Sequence, residues 1–284
     1  MAGTSMKDIR LRIRSVESTL QITKAMQLVA TSKMRRARER MENSRPYTAI
    51  SREAVMAAAQ SCDDPKNPYT IQSGENKKRC YVVIAGERGL AGGYNANVFR
   101  ALDAHAGNSV WCVLPMGKKA VEKYDRLGAE LLSRENERVE GVSVGTCYRL
   151  SRMLISKYLA GDYGSLYLVY TTFRSMMSQE VQVEQILPLQ KSEAPQTDTA
   201  LVSTVFEPGA GETLELLVPD YVAGRLYSAL CDSYVSEVAA RRSAMDSATK
   251  NADAMIADLT LKFNRARQGA ITQEITEIVA GADE

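Results

Sequence analysis

The chain has 284 residues, 25% of them charged, and its net charge is +2. That length allows two modest domains, or one domain and an elongated element. The near-neutral balance gives no general reason to expect nucleic acid or an acidic membrane as a partner. Five cysteines lie far apart and form no C-x-x-C pair, which indicates a reduced, intracellular protein. Since no run of 18 apolar residues occurs, we expect no membrane span.

The first segment, residues 1–60, has the pattern of one long helix. Small, apolar and a few polar residues recur at alternating spacings of four and three: Ile9, Ile13, Val16, Leu20, Thr23, Gln27, Ala30, Met34, Ala37 and Met41. This heptad stripe predicts a left-handed coiled coil. A second stripe of Ile22, Met26 and Val29 is expected to widen the apolar face. Such a helix would be about 80 Å long, with a kink or local end predicted at Pro46.

This first segment is also strongly basic. Residues 1–45 carry eleven Lys and Arg but only four acidic residues, so an acidic protein partner is favoured. A nucleic-acid-binding coiled coil is an alternative, but Tyr47 is the single aromatic residue among the first 60. A mitochondrial transit peptide is a further alternative, which the early acidic residues and the heptads disfavour.

The middle segment, residues 77–190, alternates predicted strands with predicted helices. The predicted strands are Cys80–Ala85, Val110–Leu114, Tyr167–Phe173 and Val181–Leu187, and the predicted helices are Gly117–Leu127 and Val144–Leu159. This alternation predicts a Rossmann-like α/β domain with a mostly parallel sheet and helices on its faces. Polar stretches at 61–78 and 191–213 are expected to be loops that flank the domain.

The last segment, residues 214–284, mirrors the first. Its predicted stripe is Tyr234, Val238, Arg241, Met245, Ala248, Ala252, Met255 and Leu259, continued by Ile271, Ile275 and Ile278. Alanine lets two helix backbones approach closely, so antiparallel pairing with the first segment of the same chain is the simplest solution; homodimeric coiled coils are the alternative. The predicted fold class is therefore α/β plus a long antiparallel coiled coil, with domains 1–60, 77–190 and 214–284.

Chemistry-bearing motifs are scarce. His105 is the single histidine and has no companions at metal-ligand spacing. Residues 116–119 resemble the end of a Walker loop but lack its first glycine and its Ser or Thr. The glycine-rich stretch 87–95 stands where a dinucleotide fingerprint would, yet Glu87 replaces the first glycine and would repel a pyrophosphate. A charged turn facing a protein partner is favoured over a nucleotide-binding enzyme, and we predict no catalytic residue, cofactor or metal.

Three segments carry a family resemblance. ITKAMQLVATSK at 22–33, ERGLAGGYN at 87–95, and LTLKFNRARQ with ITQEITEIVAG between 259 and 281 resemble the gamma subunit of the rotary F-type ATP synthase of bacteria. The resemblance implies that the paired terminal helices form a shaft inside a ring of three alpha and three beta subunits. It also implies that the α/β domain and the epsilon subunit grip the membrane ring of c subunits.

The same resemblance implies a mechanism and a place. Ion flow turns the ring, and the shaft drives the catalytic beta subunits through different affinities without catalysing anything itself. One copy per complex would lie at the cytoplasmic face of the cell membrane, as a peripheral subunit.

Contact residues with the alpha/beta ring also follow from the resemblance: Lys24, Met26, Glu87, Arg88, Gly89, Arg267, Gln268 and Thr272. The first two would face beta from the first helix. The residues of the glycine-rich stretch would meet an acidic lever region of beta, which suits Arg88. The last three would contact the ring near the upper part of the shaft.

Overall fold

The computed structural model describes residues 6–71, 77–135, 138–190 and 206–282. Two long helices, α1 (Met6–Ser61) and α5 (Ala210–Ala282), flank an α/β region in the chain. The described residues divide into two compact units, one within Met1–Ser32 and Arg241–Glu284 and the other within Lys33–Ala240. No helix among the described residues is long and apolar enough to cross a membrane.

In the first unit, α1 and α5 pair antiparallel. Arg10 lies over the ring of Phe263, at 5.3 Å from its centroid. Further along α1, the Thr249 hydroxyl donates to the Thr23 hydroxyl at 2.9 Å, and the next turn of α1 meets still earlier residues of α5. Partners thus move backward along α5 as they advance along α1, which confirms the predicted antiparallel coiled coil.

The buried stripe of α1 agrees with the prediction, because each of its ten positions is buried or half-buried. The second stripe does not widen the buried face, since Ile22 is 57% and Val29 56% exposed. Pro46 does not end the helix: α1 continues through it to Ser61. The proline lies on the exposed side of α1.

The stripe of α5 differs from the prediction at two positions. Met255 is 46% exposed, whereas Thr249 and Ile256, one residue away from the predicted Ala248 and Met255, take the inner positions. A threonine can enter this seam because its hydroxyl finds a partner in Thr23. Ile271, Ile275 and Ile278 are all exposed in the described chain.

The α/β region lies in the second unit. Its elements are β1 (Arg79–Ile84), α2 (Tyr94–Ala106), β2 (Trp111–Met116), α3 (Lys118–Arg126), α4 (Val144–Leu159), β3 (Ser165–Phe173) and β4 (Gln179–Leu187). The strand order is β2-β1-β3-β4. β1 pairs parallel with both neighbours, and β4 pairs antiparallel with β3, so the predicted mostly parallel sheet is confirmed.

Alternate residues of β1 point to two cores, as the period of a strand requires. Tyr81 and Val83 belong to the core beneath α2 and α3. Val82 and Ile84 belong to a larger core that includes α4, the end of α1 and residues 214–230 of α5. The sheet is therefore covered on both faces, and α5 forms part of one cover.

Candidate functional site

The glycine-rich loop, residues 86–93, connects β1 to α2 at the carboxyl edge of the sheet. The Gly86 amide donates to Asn95 Oδ1 at 2.8 Å, and Asn95 Nδ2 donates to the Arg88 carbonyl at 3.4 Å. Leu90 has φ 61°, which is uncommon for a residue with a branched side chain, and it is 64% exposed. The loop is thus tied down at its base by one asparagine and presents an apolar side chain at its tip.

Glu87 turns back into the domain. Its Oε1 accepts from the Val139 amide at 3.1 Å, and its Oε2 accepts from the Lys118 amide at 3.4 Å. Lys118 is the first residue of α3, so the carboxylate lies at a helix N-terminus, where a negative charge is favourable. The carboxylate takes the place that an anionic ligand would need at this helix.

Arg88 and Gly89 are both exposed, in contrast to half-buried Glu87. Of the three loop residues predicted to meet a partner, two therefore lie on the surface, and the third holds the loop in position. The contacts of Glu87 could not be anticipated from the sequence, because Val139 lies far away along the chain.

Behind the loop, the segment 138–143 contacts α1. Lys33 Nζ lies 2.6 Å from Glu140 Oε1, with about half of each side chain exposed. Arg40 donates to the Val142 carbonyl at 3.0 Å. Partial burial raises the pKa of Glu140, but the hydrogen bonds from Lys33 and Tyr234 and the charges of Lys33 and Arg88 together outweigh this effect and leave the pKa below its ordinary value. The segment is thereby attached to α1 by two cations.

The remaining predicted contact residues lie in the other compact unit. Lys24 is exposed and Met26 is half-buried on α1, while Arg267, Gln268 and Thr272 are exposed on α5. The Thr272 hydroxyl donates to the Gln268 carbonyl within the helix at 2.9 Å. Because the Thr23–Thr249 contact sets the register, the structure does not bring the α1 pair together with the α5 trio.

Exposed apolar residues near these positions were not singled out as contacts from the sequence. Leu28 is 71% exposed, and Leu261 is 50% exposed. Their signal was available, because each is an apolar residue outside the heptad seam of its helix. Apolar side chains exposed to water are typical of a surface that binds a protein partner only where they form a contiguous patch.

His105, the single histidine of the chain, lies among aromatic residues of the α/β domain. His105 Nδ1 lies 2.9 Å from the hydroxyl of Tyr81, and burial lowers the pKa of the ring. Within the described residues, no group of three His, Cys, Asp or Glu could hold a metal ion. The ring packs beside Tyr167 as well, at 4.8 Å between centroids, so its surroundings are those of a packing residue.

Fold and site together define a class: two long helices that pair antiparallel and carry an inserted α/β domain, with candidate contact residues on the helices and on one loop. The family model described as ATP synthase matches residues 5–283. The ATP synthase gamma chain of Ruminococcus albus is 43% identical, with 96% of each chain covered. That of Lachnoclostridium phytofermentans is 37% identical, with 98% of each covered. The chain belongs to the ATP synthase gamma-chain family.

Solved structures agree on the fold. A chain of the Euglena gracilis mitochondrial ATP synthase (OSCP/F1/c-ring, rotational state 3) matches with TM-score 0.68 and 17% identity, covering 98% of this chain and 93% of that one. A chain of the rotor of the same enzyme matches with TM-score 0.64 and 16% identity, covering 94% and 98%. The predicted fold class, an α/β domain inserted between coiled-coil helices, is confirmed.

Proposed function

We propose that this chain turns inside an F-type ATP synthase and couples ion-driven rotation of a membrane ring to ATP synthesis or hydrolysis at catalytic beta subunits. The central-stalk role itself follows from membership of the gamma-chain family. The observation that carries the mechanism is the antiparallel pairing of α1 and α5 through a seam that includes buried Ala30 and Ala252. Small seam residues bring two backbones close and favour a stiff pair.

The proposed partners are the alpha, beta and epsilon subunits and the ring of c subunits, with one copy of this chain per complex. The complex is membrane-associated, and we place this chain peripherally at the cytoplasmic face of the cell membrane. The chain itself is proposed to be non-catalytic, with segments 1–60 and 214–284 as the helical domains and 77–190 as the α/β domain. The non-catalytic role is supported by Glu87, because its carboxylate lies at the α3 N-terminus, in the place that an anionic ligand would need.

The proposed contacts with the ring remain those of the resemblance: Lys24, Met26, Glu87, Arg88, Gly89, Arg267, Gln268 and Thr272. Exposure supports Lys24, Arg88, Gly89 and the three α5 residues as direct contacts. For Glu87, the internal hydrogen bonds support an indirect role, in which it fixes the loop that carries Arg88. A shaft changes the affinities of its neighbours only if its contacts differ between them, and an asymmetric pair of helices meets that condition.

Co-purification from membranes tests this proposal. An affinity-tagged copy of the chain is expressed in cells that lack their own gamma chain, and the membranes are solubilised in mild detergent. We expect alpha, beta, epsilon and c subunits to be recovered with it, and ATP-driven ion pumping to be restored. Recovery of the chain alone, together with ATP or NAD binding by it, would instead favour a nucleotide-binding enzyme.

A further inference from the structure

The strand order creates a crevice at one edge of the sheet. β1 lies between β2 and β3, and the chain leaves β1 toward one neighbour and returns on the other side. In open parallel sheets, ligands bind outside the carboxyl ends of the strands at the point where the order reverses. In this chain that point lies between the ends of β1 and β3.

This crevice is occupied by α5. The ladder between β1 and β3 ends at the pair Val83 and Val169. Beyond it, the Thr171 amide donates to the Ser233 hydroxyl at 3.1 Å, and the Thr171 carbonyl accepts from the Ser236 hydroxyl at 3.2 Å. Both serines are fully buried. Two hydroxyls of α5 thus satisfy the backbone groups of β3 that β1 no longer reaches.

The β1 side of the crevice also meets α5. The Tyr94 hydroxyl donates to the Ser233 carbonyl at 3.1 Å. A Cβ added at Gly86 would lie 2.7 Å from Glu237 Oε1, and Glu237 is only 3% exposed. The loop backbone at Gly86 therefore lies so close to the buried Glu237 side chain of α5 that an added Cβ would have to displace it.

A second anchor lies two turns earlier on α5. Arg225 forms an ion pair with Glu184 of β4 and donates to the Tyr170 hydroxyl at 3.2 Å. Most of both charged side chains is buried. Hydrogen bonds depend on direction, whereas the hydrophobic effect is non-directional. The polar anchors therefore fix α5 to the sheet in one orientation.

We infer that α5 is the internal ligand of the crevice, and that Ser233 and Ser236 are positioning residues through which the α/β domain transmits torque to α5. The inference rests on the proposed rotor function. Its consequence is that α5 is attached to the α/β domain by directional polar anchors, in addition to the apolar core that it shares with the end of α1. The contact of α1 with segment 138–143 includes an ion pair that is half exposed, and exposed pairs hold weakly.

The test is a double variant, Ser233→Ala with Ser236→Ala, in the reconstituted complex. The matched control is Ser243→Ala with Ser247→Ala, which removes two exposed hydroxyls from the same helix. Hydrogen exchange is measured for the peptide that contains Thr171, and ion pumping is measured per ATP hydrolysed. We expect exchange about tenfold faster in the double variant, with pumping per ATP at roughly half or less, and no change in the control.

The outcomes separate this inference from the proposed function. If the wild-type chain restores no pumping to a complex lacking gamma, the rotor function fails. If the wild type restores pumping and the double variant pumps equally well per ATP, the inference is overturned, whether or not exchange at Thr171 rises. Should the double variant not assemble, the single variant Ser236→Ala is used, for which we expect the same two changes with smaller size.

Discussion

At the scale of single residues, Gly224 of α5 lies close to the ring of Tyr47 of α1 within the Lys33–Ala240 unit. A Cβ built there would lie 2.8 Å from Cε1 of Tyr47. We expect Gly224→Ala to lower the free energy of unfolding by about 1–3 kcal/mol, since the Tyr47 ring must be displaced from its place against α5. Denaturant unfolding of the purified chain measures this. The control is Gly269→Ala, where an added Cβ meets nothing within 4 Å and a slight stabilisation of about 0.5–1 kcal/mol is expected. Equal effects of the two changes would contradict the close contact.

A second residue, Asp232, is predicted to make stability depend on pH. Burial raises the pKa of this carboxyl, and the charges of Arg45 and Arg225 offset the effect only in part. Because the folded chain holds the proton more tightly than the unfolded chain, the stabilising contribution is complete below the unfolded pKa of about 3.9 and is lost as pH rises through the folded pKa. At neutral pH the ionised carboxylate therefore costs stability.

The corresponding variant is Asp232→Asn, which cannot ionise. We expect it to be more stable than the wild type at pH 7 and to show a flatter pH dependence of unfolding above pH of about 4. Loss of the ion pair with Arg45 matters little, because that arginine is half exposed at 3.6 Å. Asp253→Asn, at an exposed position on the same helix, serves as control. If Asp232→Asn were less stable than the wild type at pH 7, the ionised carboxylate would stabilise the folded chain, which would contradict this prediction.

At the scale of elements, the seam between α1 and α5 is predicted to tolerate no large side chain. Ala30 is 3% and Ala252 is 5% exposed. Ala30→Trp or Ala252→Trp is expected to cost about 1–3 kcal/mol or more and to impair assembly with alpha and beta. Ala254→Trp places the same side chain at an exposed position of α5. The variants are compared by thermal unfolding of the purified chain and by gel filtration of the complex. If all three tryptophan variants assembled normally, Ala30 and Ala252 would lie outside a tight seam.

The periodicity of the sequence predicted the elements well, but it failed at positions whose burial or bonding depends on contacts between elements. The heptad stripe of α1 and the four strands were visible because burial repeats at the period of each element. Thr249 was missed because its place in the seam depends on a hydroxyl partner on α1. The same holds at the site: Glu87 was recognised as unfit for a phosphate, but its bond to Val139 is not local. Ser233 and Ser236 carry no pattern, since only the folded sheet reveals their partners.

At the scale of the whole molecule, torque is expected to be shared among many contacts. Arg267 is exposed on α5, where a charge-assisted hydrogen bond to a partner would be worth about 1.5–3 kcal/mol. Arg267→Ala should therefore leave the complex assembled but lower the ATPase rate or the pumping per ATP. Arg100→Ala, an exposed arginine of α2 outside the proposed contacts, is the control. The prediction is tested by ATPase and pumping assays on the reconstituted complex. Wild-type values for Arg267→Ala would show that Arg267 makes no contact that contributes to coupling.

The whole chain in isolation is expected to hydrolyse no ATP. In the described part of the α/β domain, the N-terminus of α3 and the crevice between β1 and β3 are places where nucleotides bind in α/β folds, and each has an occupant from the chain itself. The Glu87 carboxylate accepts from the first amide of α3, so a phosphate at that helix end would face a negative charge. The crevice between β1 and β3 is closed by Ser233 and Ser236 of α5.

Removing the Glu87 carboxylate would not create a nucleotide site, because residues 116–119 would still lack the Ser or Thr that binds magnesium in a Walker loop. ATPase assays and ATP-binding calorimetry on the purified chain and on Glu87→Ala should therefore both read as background. The reconstituted complex, assayed in parallel, should hydrolyse ATP and so prove that the assay works. Robust ATP hydrolysis by the isolated chain, abolished by Glu87→Ala, would show that the loop belongs to a catalytic site. The chain would then be an enzyme itself, and the proposed rotor function would be wrong.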